Sequence, residues 1–378
     1  MKNLIISPAV TNFLNYLFFR LMYLAIRMEK RRKKPGTILL VKMESIGDYI
    51  LIRNFIPFVK EKYKGSKITF CGSSEIKELV LAYDRDLYDD FIWIERLKFL
   101  NSLTYKYWIL RNLYTRGFEI AINTSYTREI LFSDQIIEAS GADIKIGSLG
   151  SAEQQKRTRL LTDRFYTELF TQTETKLFEF LRNKEFFEML LKTKINITKP
   201  SITALSTSDD LGLKNYVLLF PGSKDKKRKW SPENFAVVGN YVLENSSFNL
   251  VIEGSKKESI LAQEIINNIA QKERVTDLTG KTSVSGLVKI ISGAEYLISN
   301  DSAAAHIAAA LNKKFICVSN GSYYRRFNPY PAEVYDKAFY VYPDNFREED
   351  FEQLRFGSDM DINTINPKKV IEVVKMMR

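Results

Sequence analysis

From Thr37 onward, short apolar runs alternate with longer amphipathic stretches. TILLVKM (37–43) reads as a buried strand, and 48–63 has helical spacing through Ile52, Phe55, Ile56 and Val59. KITFC (67–71), FIWIE (91–95) and FEIAI (118–122) are further strands with helical stretches between them. This order predicts βαβ units on a parallel sheet. At 192–214 the texture turns to Ser, Thr, Asp and Gly with a Pro, which reads as a linker. The alternation then restarts. YVLLF (216–220), FNLVI (248–252), EYLIS (295–299) and KFICV (314–318) are strands, with helices at 257–269 and 302–311 and an N-cap with Pro at Ser231-Pro232. Asn366-Pro367 opens a last helix. The expectation is an α/β protein with two Rossmann-like domains and a cleft between them. Its parts are a segment 1–35, a first domain 36–200, a second domain 201–360 and a C-terminal helix 361–378.

The segment before Thr37 has a different pattern. Residues 13–26, FLNYLFFRLMYLAI, are followed by Arg27 and by the run Lys30, Arg31, Arg32, Lys33, Lys34. The apolar stretch is about 14 residues long, whereas a spanning helix needs about 20. The charge follows the apolar part, and no small-residue cleavage site comes after it, so a secretory signal is not expected. One reading is a helix lying in a membrane interface, with the basic run on anionic lipid at about 1 kcal/mol per charge. The other is a helix docked on the protein's own surface with a solvated basic tail.

The chain has 378 residues and a formal net charge of +11, enough for two domains and suited to an anionic partner. It has two cysteines, Cys71 and Cys317, and one histidine, His306. A disulfide scaffold, a cysteine zinc site and a multi-histidine metal centre are therefore excluded. Candidate chemistry gathers where strands end. The first strand runs into Glu44-Ser45-Ile46-Gly47-Asp48 at a helix start. Gly47 allows close approach, and Asp48 is either a helix cap or a carboxylate facing a ligand. Phe220-Pro221-Gly222-Ser223 leads into KDKKRKW (224–230), where five of seven residues are basic. A phosphate-binding loop explains that run better than a solvated one. Glu253-Gly254-Ser255-Lys256-Lys257-Glu258 is another loop at the same sheet edge. Ser299-Asn300-Asp301-Ser302-Ala303-Ala304-Ala305-His306 puts Asp and Ser at a helix N-terminus, with small residues open to an anion and His one turn in.

Read together, these segments resemble glycosyltransferase family 9, the bacterial heptosyltransferase-like enzymes of lipopolysaccharide core assembly. The resemblance runs from about Thr37 to the C-terminus. Its most specific pieces are VKMESIGDYILIRNFIPFVKEKY, FPGSKDKKRKWSPENFAVVGNYV and DLTGKTSVSGLVKIISGAEYLISNDSAAAHIAAAL. It implies a two-domain GT-B fold and an inverting, metal-free transfer from a nucleotide-diphosphate sugar. Asp48 matches the family's general base, with Ser45 and Gly47 on the acceptor side. Glu258 matches the acid that holds the donor's ribose, and Asp301, Ser302 and His306 match the helix start that takes the diphosphate. Ser223 and Lys229 join the donor set. The family's cation two places before the Trp falls on Arg228, flanked by Lys227 and Lys229. Ala303 stands where the family usually has glycine.

The resemblance further implies no cofactor, ADP-heptose as the donor substrate and a glycolipid or glycan acceptor. It implies a cytoplasmic protein, peripheral on the anionic inner face of the membrane. The alternatives are a relative that moves another sugar or uses a protein acceptor, or an inactive nucleotide-sugar-binding relative. Two D-x-D strings, Asp84-Arg85-Asp86 and Asp359-Met360-Asp361, read as solvated turns and not as metal ligands. Tyr323-Tyr324-Arg325-Arg326-Phe327 could serve a nucleic acid. That reading leaves the other motifs unexplained, so no nucleic-acid partner is expected.

Overall fold

The computed structural model describes residues 8–31, 34–150, 161–172, 177–205, 212–354 and 357–377. The chain divides into two compact units. The first takes residues up to Tyr49, then Phe55–Thr175 and Arg182–Ile195, and the second takes Ile50–Asn54, Lys176–Leu181 and Asn196 onward.

In the first unit, helix α1 (Pro8–Arg27) precedes β1 (Thr37–Lys42) and the short helix α2 (Ile46–Ile50). There follow β2 (Lys67–Ser73), β3 (Asp90–Ile94), α3 (Leu103–Arg116), β4 (Ile120–Asn123), β5 (Ile144–Ser148) and β6 (Glu168–Phe170). The strands form a parallel sheet in the order β3-β2-β1-β4-β5-β6. Leu39 and Val41 of β1 are buried with Cys71, Ile92 and Ile94. The helix expected over 48–63 is broken. It stops at Ile50 and restarts at Ile56, because Pro57 has no N–H and fits only a first turn. Helix α3 is held at both ends. Ser102 accepts from the Tyr105 amide, and Gly117 ends the helix at φ 71°.

The second unit repeats the plan. It contains β7 (Tyr216–Phe220), α4 (Pro232–Asn245), β8 (Asn249–Ile252), α5 (Ser259–Asn267), β9 (Val275–Asp277), α6 (Val284–Gly293), β10 (Leu297–Asn300), α7 (Ala303–Ala310), β11 (Phe315–Val318), β12 (Ala338–Val341) and α8 (Pro367–Met377). Its sheet order is β12-β11-β10-β7-β8-β9, all parallel. Counted from each unit's first strand, the two orders are the same. Ser231 caps α4 by accepting from the Asn234 amide, with Pro232 in the first turn. Helix α8 packs into this unit's core through Val370 and Val374. Between Lys192 and Leu205 the chain forms no helix or strand. The rest of the expected linker, 206–211, lies outside the described residues. The edge strands β6, β9 and β12, and β5 next to an edge, are not among the strands expected from the sequence.

Of the two readings of helix α1, docking on the protein's own surface holds for one of its faces. Tyr16, Phe19, Tyr23 and Ile26 are buried in the first unit's core. Arg164 donates to the Tyr16 hydroxyl at 2.6 Å, and Arg20 pairs with Glu138 at 3.6 Å. Phe13, Leu14, Leu17, Phe18, Leu21, Leu24 and Met28 nevertheless remain exposed. No helix among the described residues is long and apolar enough to cross a membrane.

The two faces of α1 should separate on substitution. Phe19 has no exposed surface, so Phe19→Ala should destabilise the first unit by about 3–5 kcal/mol. Leu21→Ala, on the exposed face, should stay within about 0.5 kcal/mol. Chemical denaturation of the two variants compares them. Equal effects would mean that α1 is not docked as described.

Candidate active site

A parallel sheet in the order 3-2-1-4-5-6 sends its connections to opposite faces on either side of strands 1 and 4. Ligands bind beyond the carboxyl ends of those two strands. The candidate residues fall at this point in both units.

In the first unit, β1 leads directly into Ser45, Gly47 and Asp48. Asp48 sits in the first turn of α2, and its Oδ2 accepts from the Ser45 amide at 3.2 Å and from Ser45 Oγ at 2.8 Å. The capping reading of Asp48 is therefore correct as geometry. It is compatible with a second role, because both bonds fall on one oxygen. Glu44 is a residue that the motif reading passed over. Its Oε2 lies 3.5 Å from Nζ of the buried Lys42 and accepts no hydrogen bond. Burial pushes the Glu44 carboxyl up from its ordinary value, Lys42 opposes this, and the charge of Asp48 adds to it. At the end of β4, Asn123 donates to the Tyr166 hydroxyl at 2.8 Å, and Tyr166 donates to Asp134 at 2.7 Å. Arg128 pairs with Asp134 and Asp163 and lies over the Tyr166 ring. These residues are far apart along the chain and give no local signal.

In the second unit, the loops after β7, β8 and β10 come together. Asn300 ties two of them, donating to the Pro221 carbonyl at 2.7 Å and accepting from the Trp230 amide at 3.1 Å. Trp230 is buried, and its indole N–H reaches the Ile365 carbonyl at 3.1 Å. That anchor fixes the register of the cationic loop. Arg228 Nη1 reaches Asp301 Oδ2 at 3.4 Å, and Lys229 Nζ donates to Glu258 Oε1 at 3.0 Å. Lys227 instead pairs with the exposed Asp359. Arg228 also lies over the Tyr323 ring. Glu258 accepts from both the amide and the hydroxyl of Ser255. Gly222 lets it approach, since a Cβ there would stand 3.2 Å from Glu258 Cγ. Asp301 is buried and also accepts from Asn328 at 3.1 Å.

Helix α7 starts at Ala303, and Ser302 stands before it without bonding a helix amide. His306 is buried, its Nδ1 is 2.9 Å from the Tyr330 hydroxyl, and the imidazole is thus engaged inside the unit. Among the described residues, the polar atoms at this edge that are buried without a hydrogen-bond partner include Ser223 Oγ, Ser302 Oγ and Arg228 Nε, with Ser299 Oγ and Glu253 Oε2 beside them. Buried polar groups are normally paired. Two hydroxyls and a guanidinium N–H beside a helix N-terminus suit an anion with several oxygens.

The D-x-D reading needs one correction. Asp84 is buried and accepts from the Tyr49 hydroxyl at 2.9 Å, so it is a structural group and not a solvated one. Asp359 and Asp361 are exposed, and Asp361 caps a short turn by accepting from the Asn363 amide. Among the described residues, no three His, Cys, Asp or Glu side chains are grouped to hold a metal ion.

The two switch-point sheets are those of the GT-B class. The chain belongs to glycosyltransferase family 9 (heptosyltransferase), whose family model matches residues 136–338. It is similar to lipooligosaccharide heptosyltransferase 2 of Haemophilus ducreyi, with 33% identity over 88 residues, 23% of this chain and 25% of the relative. It is also similar to lipopolysaccharide heptosyltransferase 3 of Escherichia coli, with 25% identity over 160 residues, 42% of this chain and 46% of the relative. The matches thus span about a quarter and about half of those relatives' lengths. Among solved structures, a family 9 glycosyl transferase from Veillonella parvula aligns over 90% of this chain and 96% of its own, with a TM-score of 0.69 and 18% identity. The E. coli heptosyltransferase WaaC with ADP-2-deoxy-2-fluoro heptose aligns over 90% of this chain and 100% of its own, with a TM-score of 0.68 and 14% identity.

A buried acid at this edge gives a pH signature. Glu253, at the end of β8, accepts from Thr282 Oγ1 at 2.6 Å, and burial pushes its carboxyl up to about 7. A carboxyl whose folded value is raised stabilises the fold below its unfolded value and loses that contribution as pH rises through the folded one. Between about pH 4.5 and 7 the second unit should lose stability, and Glu253→Gln should remove that part of the slope. Melting temperatures of both proteins across this range measure it. Parallel curves would refute the assignment.

Proposed function

We propose that the protein is an inverting glycosyltransferase that moves a heptose from ADP-heptose to a lipopolysaccharide-type acceptor. The observation that carries this reading is the second unit's set of unpartnered buried groups, Ser223 Oγ, Ser302 Oγ and Arg228 Nε, beside Arg228, Lys229 and the start of α7. Such a set suits the diphosphate of a nucleotide sugar. Glu258 is the group for the ribose hydroxyls. Family membership and the heptosyltransferase relatives support heptose, and the WaaC structure with ADP-2-deoxy-2-fluoro heptose supports the nucleotide. A cytoplasmic location is part of this reading, because it goes with a nucleotide-sugar substrate.

In this reading Asp48 accepts the proton of an acceptor hydroxyl as its oxygen attacks the anomeric carbon. The bond to the nucleoside diphosphate breaks on the opposite side, and the sugar is inverted. Negative charge grows on the leaving diphosphate. Arg228, Lys229 and the helix N-terminus stabilise it, the task a metal ion performs in other transferases. Serving as both cap and base is no conflict for Asp48. The Ser45 bonds hold the carboxylate in place before an acceptor arrives.

Asp48→Asn keeps an oxygen for the Ser45 amide and removes the base. Turnover should fall by about 10²–10⁴ while donor affinity stays nearly unchanged. Full turnover with reduced stability would leave Asp48 as a cap alone. A wild-type protein that binds ADP-heptose with no turnover on any glycan acceptor would identify an inactive relative.

The transfer rate should also hold in excess EDTA. Complete loss in EDTA, with recovery on added Mg²⁺, would overturn the metal-free step. If the rate holds, replacing Arg228 and Lys229 together by Ala should cost several kcal/mol of transition-state stabilisation, on the order of one or two charge-stabilising groups.

A further inference from the structure

Helix α1 has two apolar faces, and the fold uses only one. The buried set, Tyr16, Phe19, Tyr23 and Ile26, follows the helical repeat and joins the first unit's core. The second set, Phe13, Leu14, Leu17, Phe18, Leu21, Leu24 and Met28, is between 40% and 88% exposed. At 100° per residue it falls within about 140° of arc, so it is one continuous stripe. Its apolar area is on the order of several hundred Å², at the upper end of what a soluble monomer shows without a partner.

Three observations identify the occupant. First, α1 contains no acidic residue, while Arg20 and Arg27 lie along it and Lys30 and Lys34 follow it. Second, nearby acids are already engaged: Glu29 by Arg111, Glu138 by Arg20 and Lys145, and Asp143 by Arg31. Arg27, Lys30 and Lys34 are exposed beyond these pairs. Third, the docked face fixes the helix flat against the first unit, so it cannot leave its core to cross a bilayer. A flat helix with an apolar stripe and a basic flank matches the interface of an anionic bilayer. A second copy of the chain offers the same positive flank and is repelled by it.

We infer that the outer face of α1 docks the protein on an anionic membrane, with Leu17, Phe18 and Leu21 in the acyl boundary and Arg27 and Lys30 on the headgroups. The inference stands apart from the donor reading, because vesicle binding needs no turnover. The test is cosedimentation of the full chain with vesicles of phosphatidylcholine alone or mixed with phosphatidylglycerol, at low and high salt. Binding should favour the anionic vesicles by at least about tenfold and fall as salt rises. Leu17→Glu with Leu21→Glu should lower it about tenfold or more with unchanged thermal unfolding. If that form fails to fold, Arg27→Glu with Lys30→Glu should show the same loss on anionic vesicles. Absence of anionic-vesicle binding, or equal binding by wild type and the folded variant, overturns the inference. A wild-type dimer that the Leu17→Glu, Leu21→Glu form dissociates, without vesicle binding, assigns the face to a second copy and overturns it as well.

Discussion

The reversal of strand order beside β1 and β7 is the constraint on which the rest of the molecule depends. Helices that follow neighbouring strands cover opposite faces there, so no helix closes over the carboxyl ends of the two central strands. Backbone N–H groups and short loops are left facing outward, and polar side chains can be placed on a rigid edge. Asp48 follows β1, Ser223 follows β7, and Asp301 and Ser302 follow β10. A βαβ unit can offer such an edge only where this reversal occurs, and each sheet has one between its first and fourth strands.

The electrostatics of the second unit's edge differ from those of a simple basic patch. Arg228 is matched by Asp301 and Lys229 by Glu258, so these four side chains sum to no net charge. In the proposed reading, attraction for a diphosphate therefore comes from orientation. The paired carboxylates hold the guanidinium and ammonium groups in place, and the unpartnered hydroxyls and Arg228 Nε supply donors already aimed. Removing one member of a buried pair leaves the other uncompensated, at about 3–5 kcal/mol in a fully buried site. In that reading both carboxylates also position the cations they pair with, and the chain's excess of +11 acts at longer range, on approach.

Much of this was legible in the residues themselves. Alternating apolar runs marked the central strands, because strands buried on both faces read as continuous hydrophobic stretches. The Ser-Pro start of α4, the S-x-G-D turn and the N-D-S helix start are local, and each element's geometry follows from its own few residues. Strands β5, β6, β9 and β12 were missed because they are short and partly exposed, which weakens their apolar signal. The break at Pro57 was missed because the spacing of Ile52, Phe55, Ile56 and Val59 continues across it, while the backbone cannot.

What the sequence determined by itself was therefore the local matter: two βαβ series, the turns at their strand ends, and the residue types set there. Tertiary structure alone decided which side chains meet. Asn328 and Arg228 converge on Asp301, Lys229 rather than Lys227 reaches Glu258, and Asp84 is buried under Tyr49 instead of lying in solvent. It also decided that only one of α1's two apolar faces is used within the fold. The reason is range. Periodicity and capping act within one or two turns of chain, whereas ion pairs and burial depend on neighbours brought together by strand order from positions tens to hundreds of residues away.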